Sequence, residues 1–408
     1  MHSRSLPKRR PWPLVSAVAL AAWLAAGCGG GDGAGNIGSG GTGALSFSQG
    51  PISGFGSIVV NGVHFDDSAA IVLDEDGNAL SNAASLRLGS TVDVEGGAVV
   101  SGAAAASTIR VRTDLVGPVT RAFDATTGLI HVLGLPVNVN ATTALDGFAG
   151  GAAGVAVGAV VAVSSLYNPA AAGWVATRID PAPAAARFAV RGAVASSSGG
   201  GFAIGGQTFD LNGVATPAGF GPGRIVRVEL LTVPGASGRY AVSAFGDGVA
   251  PPGNGREGEL RGVVAAVADA GHFAIGGLAV DASRAAVTPA GAVVAAKSLV
   301  EVHGGMVQGV LVATRIDVVA GDDDGGSGGG GGGSAGGDQF EIHGEILGAV
   351  DAAHQTFTMR GPTTVGYAGA TFSGGAAATL ARGARIEVKG NLSADGTQVI
   401  ATRIKFDD

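Results

Sequence analysis

Short runs in which apolar and polar residues alternate recur from about residue 46 to the end of the chain. Successive side chains of a β-strand point to opposite faces, so this alternation predicts strands with one buried face. One kind of run places a polar residue between two β-branched residues, as in Val92–Val94, Val300–Val302 and Ile386–Val388. A second kind carries the phrase A-T-R-I and starts at Ala176, Ala313 and Ala401. Together they predict a pair of neighbouring strands that is repeated along the chain.

A tight hairpin is predicted ahead of each such pair. In the first repeat Asn61-Gly62 lies between two apolar runs, and Asn and Gly adopt the positive φ values that a two-residue hairpin turn needs. Gly205-Gly206 and Gly276-Gly277 occupy the same place in later repeats. Each hairpin follows an opening Gly with a β-branched residue two positions on, and the five openers are Gly50, Gly117, Gly192, Gly262 and Gly344.

These elements amount to five strands in each repeat of about 60–70 residues. So few residues cannot build a thick two-sheet sandwich, whereas five short strands can close a small barrel without exposed edges. We therefore expect an all-β fold, a tandem array of five small five-stranded (OB-like) β-barrel units with Gly-rich linkers.

The expected domain boundaries follow the repeats and the low-complexity segments between them. Repeats 1 to 5 are expected at residues 46–114, 115–183, 187–246, 258–319 and 339–408. The segments between or before them are a flexible Gly-rich tether at 28–45, a linker at 247–257 and a disordered Gly- and Asp-rich linker at 320–338. Because this last linker separates repeat 5 from the others, we expect repeat 5 to be mechanically independent.

The first 27 residues have the pattern of an export signal, with a basic start followed by the apolar run Leu14–Gly27. That run has 14 residues, which is too short to span a bilayer. Its end, Ala25-Ala26-Gly27-Cys28, resembles the lipobox of bacterial lipoproteins. The resemblance implies that residues 1–27 are removed and that Cys28 carries a diacylglycerol. Gly29, directly after the cysteine, resembles the sorting signal of lipoproteins that are sent to the outer membrane. The alternative is an ordinary signal peptide cut near Gly27, which would leave a free thiol.

Composition and charge narrow the classes of partner. Gly accounts for 74 of 408 residues, which disfavours long helices because each helical Gly costs about 1 kcal/mol. Removal of residues 1–27 would leave 21 basic and 32 acidic residues, a net charge of −11. Such an acidic chain argues against nucleic acid and anionic membrane surfaces as partners.

The opening of repeat 1, Ser53–Asp66 with the sequence SGFGSIVVNGVHFD, and the A-T-R-I phrases resemble bacterial lipoproteins of domain-of-unknown-function family 5666. The resemblance covers about residues 46–406 and rests on structural motifs. It supplies no catalytic residue that could be transferred to this chain, because no activity is known for the family.

The sequence contains no recognisable catalytic or metal-binding motif. No two of the six histidines after residue 27 have a metal-ligand spacing such as H-x-x-x-H, and no Ser-His-Asp set or phosphate loop stands out. Asp322-Asp323-Asp324 lacks the spacing of a calcium loop, and Asp74-Glu75-Asp76 before Gly77 predicts a hairpin turn. We therefore expect no enzyme activity, no cofactor and no metal.

The repeated arginine of the A-T-R-I phrase is expected to form a salt bridge with the preceding strand. Alternation places Arg315 and Glu301 on the outer faces of adjacent antiparallel strands, and it places Arg403 and Glu387 likewise. Such pairs would help to fix the register, because a slip of one residue would bury the arginine.

The alternative is that these arginines face a ligand. Arg178 would then be a ligand contact, together with Trp174, the sole Trp after the predicted signal peptide. Exposed aromatic rings are typical of glycan-binding surfaces, but most Phe residues lie at alternating strand positions that favour a core role.

The expected function is that of a lipid-anchored protein of the cell envelope with a structural or interaction-mediating role. Its expected partners are the membrane, through the lipid on Cys28, and an unknown protein or glycan of the envelope, but no nucleic acid. The expected location is the outer membrane, on either its periplasmic or its surface side. A ligand- or glycan-binding module is the second hypothesis, and an enzyme is the third.

Overall fold

The protein folds almost entirely into β-strands, as the alternating pattern predicts. The computed structural model describes residues 45–81, 85–168, 173–246, 253–269, 271–275, 278–296, 298–319 and 340–407, which belong to one compact unit, Ser39–Asp408. The predicted signal peptide, Cys28, most of the tether and the linker at 320–338 lie outside the described residues. Within the described part of the chain, no helix has the length and apolar character needed to cross a membrane.

The described residues of repeats 1 and 2 include eleven strands and one short 3-10 helix, Gly151–Gly154. The strands are β1 (Ser46–Phe55), β2 (Ile58–Val60), β3 (Val63–Asp66), β4 (Ile71–Leu73), β5 (Thr91–Gly96), β6 (Ala103–Arg112), β7 (Leu115–Asp124), β8 (Leu129–Val132), β9 (Leu135–Asn138), β10 (Val160–Asn168) and β11 (Gly173–Pro181).

Repeats 3 to 5 supply the remaining strands and a 3-10 turn, Ala377–Thr379. The strands are β12 (Phe188–Ser198), β13 (Gly201–Ile204), β14 (Gln207–Asp210), β15 (Ile225–Leu230), β16 (Val242–Phe245), β17 (Glu257–Asp269), β18 (His272–Ile275), β19 (Leu278–Asp281), β20 (Ala286–Thr288), β21 (Leu299–Val307), β22 (Val310–Val319), β23 (Phe340–Glu345), β24 (Thr356–Met359), β25 (Thr363–Gly366), β26 (Thr371–Ser373), β27 (Arg385–Leu392) and β28 (Val399–Phe406).

Repeat 2 forms a closed five-stranded barrel. Strand β7 pairs with β8 and β10, β8 pairs with β9, and β10 pairs with β11, all antiparallel. The parallel pairing of β9 with β11 closes the ring. Alternating residues such as Val119, Ile130, Val161 and Ile179 point inward and are buried, which explains why their strands have an apolar and a polar face.

Related pairings recur elsewhere in the chain. In repeat 1, β1 pairs with β2 and β5, and β3 runs parallel to β6. In repeat 4, β17 pairs with β18 and β21, and β19 runs parallel to β22. Three short strands that the sequence did not reveal, β4, β20 and β26, add in parallel to the A-T-R-I strand or its equivalent. Repeat 3 differs, because its last strand β16 has only four residues.

The threonine of the A-T-R-I phrase forms a β-bulge. On β22, His303 lies opposite Arg315 but Gly304 lies opposite Ala313, so Thr314 is an extra residue. Its Oγ1 donates a hydrogen bond to the carbonyl oxygen of His303 at 3.1 Å. Thr177 and Thr402 are the extra residues of the same bulge in repeats 2 and 5, and their hydroxyls donate to the carbonyls of Ser164 and Lys389. The repeated phrase therefore produces a β-bulge that locally increases the twist of the strand. The threonine hydroxyl of the phrase forms a hydrogen bond with a carbonyl of the neighbouring strand.

The hydrophobic cores do not follow the repeat boundaries. Repeats 1 and 5 contribute to one continuous cluster, repeats 2 and 3 contribute to a second, and repeat 4 has its own. Strand β1 also runs parallel to β23 of repeat 5, where a Cβ on Gly54 would clash with the carbonyl oxygen of Glu341. The expectation that repeat 5 is independent is therefore wrong, because it shares buried apolar side chains with repeat 1.

Candidate functional site

The most unusual chemical feature is a buried cluster of charges where repeats 1, 2 and 3 meet, which we call the polar junction. Its six side chains are Glu75, Asp93, Arg112, Asp114, Arg191 and Arg227, and each is at most 9% exposed. Buried charges are costly unless they are paired. The junction therefore depends on how these groups contact one another.

Glu75 enters the junction from the turn that follows β4. Asp74 Oδ1 accepts hydrogen bonds from the backbone N–H groups of Asp76 and Asn78, and Gly77 has a φ of 82°. These contacts form the turn that the acidic sequence indicated. The turn projects Glu75 away from repeat 1 and toward repeat 3.

The Glu75 carboxylate lies between two arginines on adjacent strands of repeat 3. It accepts a hydrogen bond from Arg191 on β12, and its Oε2 is 2.7 Å from Nε of Arg227 on β15. Asp76 adds a second contact to Arg227, at 2.7 Å. Burial by itself would raise the pKa of Glu75, but attraction to Arg191 and Arg227 outweighs it and holds the pKa below its ordinary value.

Asp114 connects the arginines of different repeats. Its Oδ1 is 3.2 Å from Arg191 Nε and 4.0 Å from Arg112 Nη2, and its Oδ2 accepts a hydrogen bond from Ser165 Oγ at 2.6 Å. Arg112 Nη1 also donates to Asp93 on β5, at 3.4 Å. Burial raises the pKa of Asp114 in spite of the two arginines. Opposite charges of repeats 1 and 3 therefore alternate through the junction, and Ser165 adds a hydrogen bond from repeat 2.

Arg178 and Trp174, the predicted ligand contacts, lie in the interior and are each 1% exposed. Arg178 donates to the carbonyl oxygen of Leu88 in repeat 1 and forms ion pairs with Asp146 and Asp180. The prediction that Arg178 faces a ligand is therefore corrected: the outer face of repeat 2 is covered by repeat 1, so this arginine joins repeats.

Trp174 is part of the core shared by repeats 2 and 3. Its ring centre is 5.0 Å from that of Tyr167, and its Nε1 donates a hydrogen bond to the carbonyl oxygen of Arg191 at 2.9 Å. The residue is thus a packing residue with a satisfied polar atom, and it offers no exposed platform for a glycan.

Arg315 and Glu301 do not form the predicted salt bridge, and each has a different partner. The bulge at Thr314 places Asp317 opposite Glu301, and Arg315 pairs with Asp317 at 2.5 Å. Glu301 instead lies 3.9 Å from Arg261 of β17. Alternation predicted the shared face, but the bulge determines the partners.

The same bulge changes the register in repeat 5. Lys405, rather than Arg403, lies directly opposite Glu387, and Arg403 lies opposite Lys389. Glu387 Oε1 is 3.3 Å from Lys389 Nζ, and its Oε2 is 4.0 Å from Lys405 Nζ. The residue opposite Glu387 is thus two positions further along β28 than predicted.

Repeat 5 also brings together a possible set of metal ligands. Atoms of Glu341, His343 and Glu387 all lie within 4.8 Å of one another, and among the described residues this is the one such group. The sequence did not indicate it because the residues come from two strands. The Lys389 ammonium is 2.9 Å from Glu341 and 3.3 Å from Glu387. Because this ammonium already lies within ion-pair distance of both carboxylates, we assign no metal to the cluster.

His303 of repeat 4 lies among three carboxylates. Its Nδ1 is 3.3 Å from Glu259, and its Nε2 is 3.4 Å from Glu301 and 3.3 Å from Asp317. Burial lowers the pKa of His303, but hydrogen bonds and attraction from Glu259 and Glu301 outweigh it and raise the pKa to about 9. The protonated ring thereby joins three strands of one repeat.

We expect the stability of repeat 4 to depend on the protonation of His303. The folded pKa of about 9 exceeds the unfolded value of about 6.5, so the contribution is complete below about pH 6.5 and is lost by about pH 9. The substitution His303→Gln should therefore remove about 1–3 kcal/mol of pH-dependent stability in that window. Chemical denaturation of both proteins as a function of pH measures the difference. His354→Gln, at an exposed site, is the control. An unchanged pH profile for His303→Gln would contradict the assignment.

A comparison with curated proteins gives no match. A scan against protein-family models matches three segments, residues 116–180, 261–317 and 337–405, to a domain of unknown function (DUF5666). The segments lie in repeats 2, 4 and 5, so the predicted resemblance to this domain family is confirmed there, and the lipoprotein character stays a prediction. The chain therefore contains a repeated DUF5666-like domain.

Proposed function

We propose that this protein is a lipid-anchored structural or interaction-mediating protein of the bacterial cell envelope. The observation that carries the proposal is the polar junction, in which Glu75 pairs with both Arg191 and Arg227. Their charges stabilise contacts between repeats, and no substrate is needed to compensate them. A rigid assembly of repeats suits a protein whose role is to hold or present a surface.

The proposed architecture is a tandem array of five OB-like barrels. Support comes from the closed barrel of repeat 2 and from the same types of pairing in repeats 1 and 4. Repeat 5 keeps the parallel pairing of its hairpin with the last strand, β25 with β28. Repeat 3 has an isolated parallel bridge, Asp210 to Ala241, at the corresponding place.

The proposed location is the outer membrane, with the lipid on Cys28 as the anchor. The basic start, the short apolar run and the lipobox-like end of residues 1–27 support it. The expected partners are the membrane and a protein or glycan of the envelope. We propose neither enzyme activity nor a cofactor nor a nucleic-acid partner, in keeping with the acidic composition and the mutual pairing of the junction charges.

Cys28→Ala should move the protein from the membrane fraction to the soluble periplasmic fraction. A single acyl chain gives marginal binding and two or more give stable anchoring, so loss of a diacylglycerol removes the anchor. Cell fractionation measures the distribution, and mass spectrometry of the wild type should find acyl chains on Cys28. Ser39→Ala, a change in the predicted tether, should stay with the membranes. Wild-type protein that is soluble and carries no acyl chain would contradict the proposal.

A further inference from the structure

The last strand of repeat 3, β16, has one edge that no strand covers within the described part of the chain. On its other edge β16 pairs with β15. The isolated bridge between Asp210 and Ala241 lies just ahead of β16, and residues Ser243–Gly246 are partly exposed. In repeats 1, 4 and 5 the edge of the last strand carries a short parallel strand, β4, β20 or β26. Repeat 3 therefore offers a place for one further strand.

The shared bulge shows which residues form this open edge. Ser243 is the extra residue of a bulge in β16, as Thr314 is in β22. Residues Ala244–Gly246 therefore correspond to Arg315–Asp317, the segment that β20 covers in repeat 4. An open strand edge can pair with an extended segment of another chain.

The backbone groups of Phe245 point to the open edge. The N–H of Gly246 donates to the carbonyl oxygen of Arg227 on β15 at 3.0 Å. In an antiparallel pair, residues bonded to the partner strand alternate with residues that face away from it, so the N–H and C=O of Phe245 face away from β15. Ile179 is the counterpart of Phe245 in repeat 2, and its N–H donates to the carbonyl oxygen of Ala144 at 2.9 Å. Among the described residues of repeat 3, no segment takes that place.

The sequence of repeat 3 explains why its own chain leaves the edge open. The turn after the hairpin closes at Val214, as the equivalent turn closes at Ala285 in repeat 4. The next three residues form β20 in repeat 4, whereas Ala215–Pro217 form no strand. Pro217 takes the place of Thr288, and a proline has no N–H to donate to a neighbouring strand. The edge therefore remains available to a segment from outside the repeat.

The covering strands of the other repeats indicate the chemistry of such a segment. Their central residues are apolar and pack against a hydrophobic core: Val72, Val287 and Phe372. The corresponding position on the edge of repeat 3 is Phe245, whose ring centre is 5.4 Å from that of Phe220. We therefore expect an apolar side chain at the centre of a segment that pairs with β16.

The outer face beside the open edge carries negative charge. Ala244 takes the place of the repeated arginine, and Glu229 on β15 lies directly opposite it. Glu229 is 3.6 Å from Arg227, but this arginine also pairs with Glu75 and Asp76. Three carboxylates thus share one guanidinium group, and a basic side chain opposite the small Ala244 would supply the charge that the arginine supplies in other repeats. The net charge of −7 also favours a basic partner.

We propose that the open edge of β16 binds an extended segment of another envelope protein, parallel to β16, with a basic residue opposite Ala244 and an apolar residue opposite Phe245. By the pattern of Ala144 in repeat 2, the basic residue donates its N–H to the Ser243 carbonyl and accepts from the Phe245 N–H. The N–H two residues later donates to the Phe245 carbonyl. This inference rests on the proposed interaction-mediating function and names the class of partner.

Binding of short labelled peptides to the full chain tests the proposal. A fluorescent peptide with the central sequence Lys-Val-Thr should bind saturably, as measured by fluorescence anisotropy. A Lys-Val-Pro peptide lacks the N–H that donates to Phe245 and should bind about tenfold more weakly. A Glu-Val-Thr peptide should also bind more weakly, because its carboxylate would lie beside Glu229. A peptide with a benzophenone side chain in place of Val should crosslink to a fragment that contains Ser243–Gly246.

A double variant, Thr216→Val with Pro217→Thr, restores the Val-Thr sequence of β20 and allows the chain to cover its own edge. Its affinity for the Lys-Val-Thr peptide should fall at least about tenfold, because the same backbone groups are then already bonded. Circular dichroism checks that the variant is folded. Val233→Thr, a change at an exposed site of the same repeat, should bind the peptide as the wild type does.

Absence of saturable binding, equal affinity for the Lys-Val-Thr and Lys-Val-Pro peptides, or crosslinks outside repeat 3 would overturn the proposal. Equal affinity of the wild type and the double variant would place the binding elsewhere and would also overturn it. Self-association that the double variant abolishes would assign the edge to a second copy of the chain instead. Fractionation of Cys28→Ala tests the membrane anchor independently, so a failure of peptide binding leaves the proposed envelope location unaffected.

Discussion

Glu75→Ala should lower the free energy of unfolding by about 3 kcal/mol, because it removes the acid that lies between Arg191 and Arg227. Removal of one partner from a buried ion pair leaves an uncompensated charge and costs about 3–5 kcal/mol. The expected value lies at the lower end because Asp114 and Asp76 still compensate the two arginines in part. Denaturant unfolding of the full chain measures the change.

The matched control is Glu345→Ala, whose partner Arg385 is also exposed. An exposed pair contributes about 0–1 kcal/mol, so this variant should unfold nearly as the wild type does. Similar effects for Glu75→Ala and Glu345→Ala would show that the junction does not hold the repeats together.

Trp174→Ala should cost about 3–5 kcal/mol, because it leaves a large cavity in the core shared by repeats 2 and 3. It also removes the donor to the carbonyl oxygen of Arg191, a residue of the polar junction. The apolar core and the junction should therefore weaken together. Thermal unfolding and near-UV circular dichroism measure the effect.

Trp174→Phe is the informative companion, because it keeps an aromatic ring against Tyr167 but loses the hydrogen bond. Its cost should be clearly smaller than that of Trp174→Ala. Were Trp174 a glycan platform, alanine there would reduce glycan binding and leave stability almost unchanged. That outcome would favour the binding-module hypothesis over the structural one.

Local features of the fold could be predicted well from the sequence. The Asn61-Gly62 turn has positive φ at both residues, 51° and 78°, and joins Val60 to Val63 as a two-residue hairpin. These features depend on a few adjacent residues, and their physical basis is the intrinsic preference of Asn and Gly. The all-β class could be predicted for the same reason, because apolar and polar residues alternate with a period of two within short local segments.

Contacts that depend on distant residues could not be predicted. Glu75 was interpreted as part of an acidic turn, and nothing local indicates that it meets Arg191 across 116 residues. The bulge at Thr314 was also missed, because alternation assumes an unbroken ladder and one extra residue exchanges the partners of Arg315. Trp174 and Arg178 were ambiguous for a similar reason: a single strand does not reveal what covers its outer face.

The pairing of β1 with β23 has a consequence for how the chain is made. Strand β1 is synthesised first and β23 belongs to the last repeat, so repeat 1 cannot complete its hydrophobic cluster until the C-terminal part has been synthesised. Asp67 and Arg360, which are hydrogen-bonded in the folded protein, are separated by 293 residues. Contacts between residues so far apart in the chain form slowly. Until they form, the unpaired edge of β1 is prone to aggregation. A nascent chain that stops before β23 would therefore be a substrate for chaperones and proteases rather than a shorter version of the same protein.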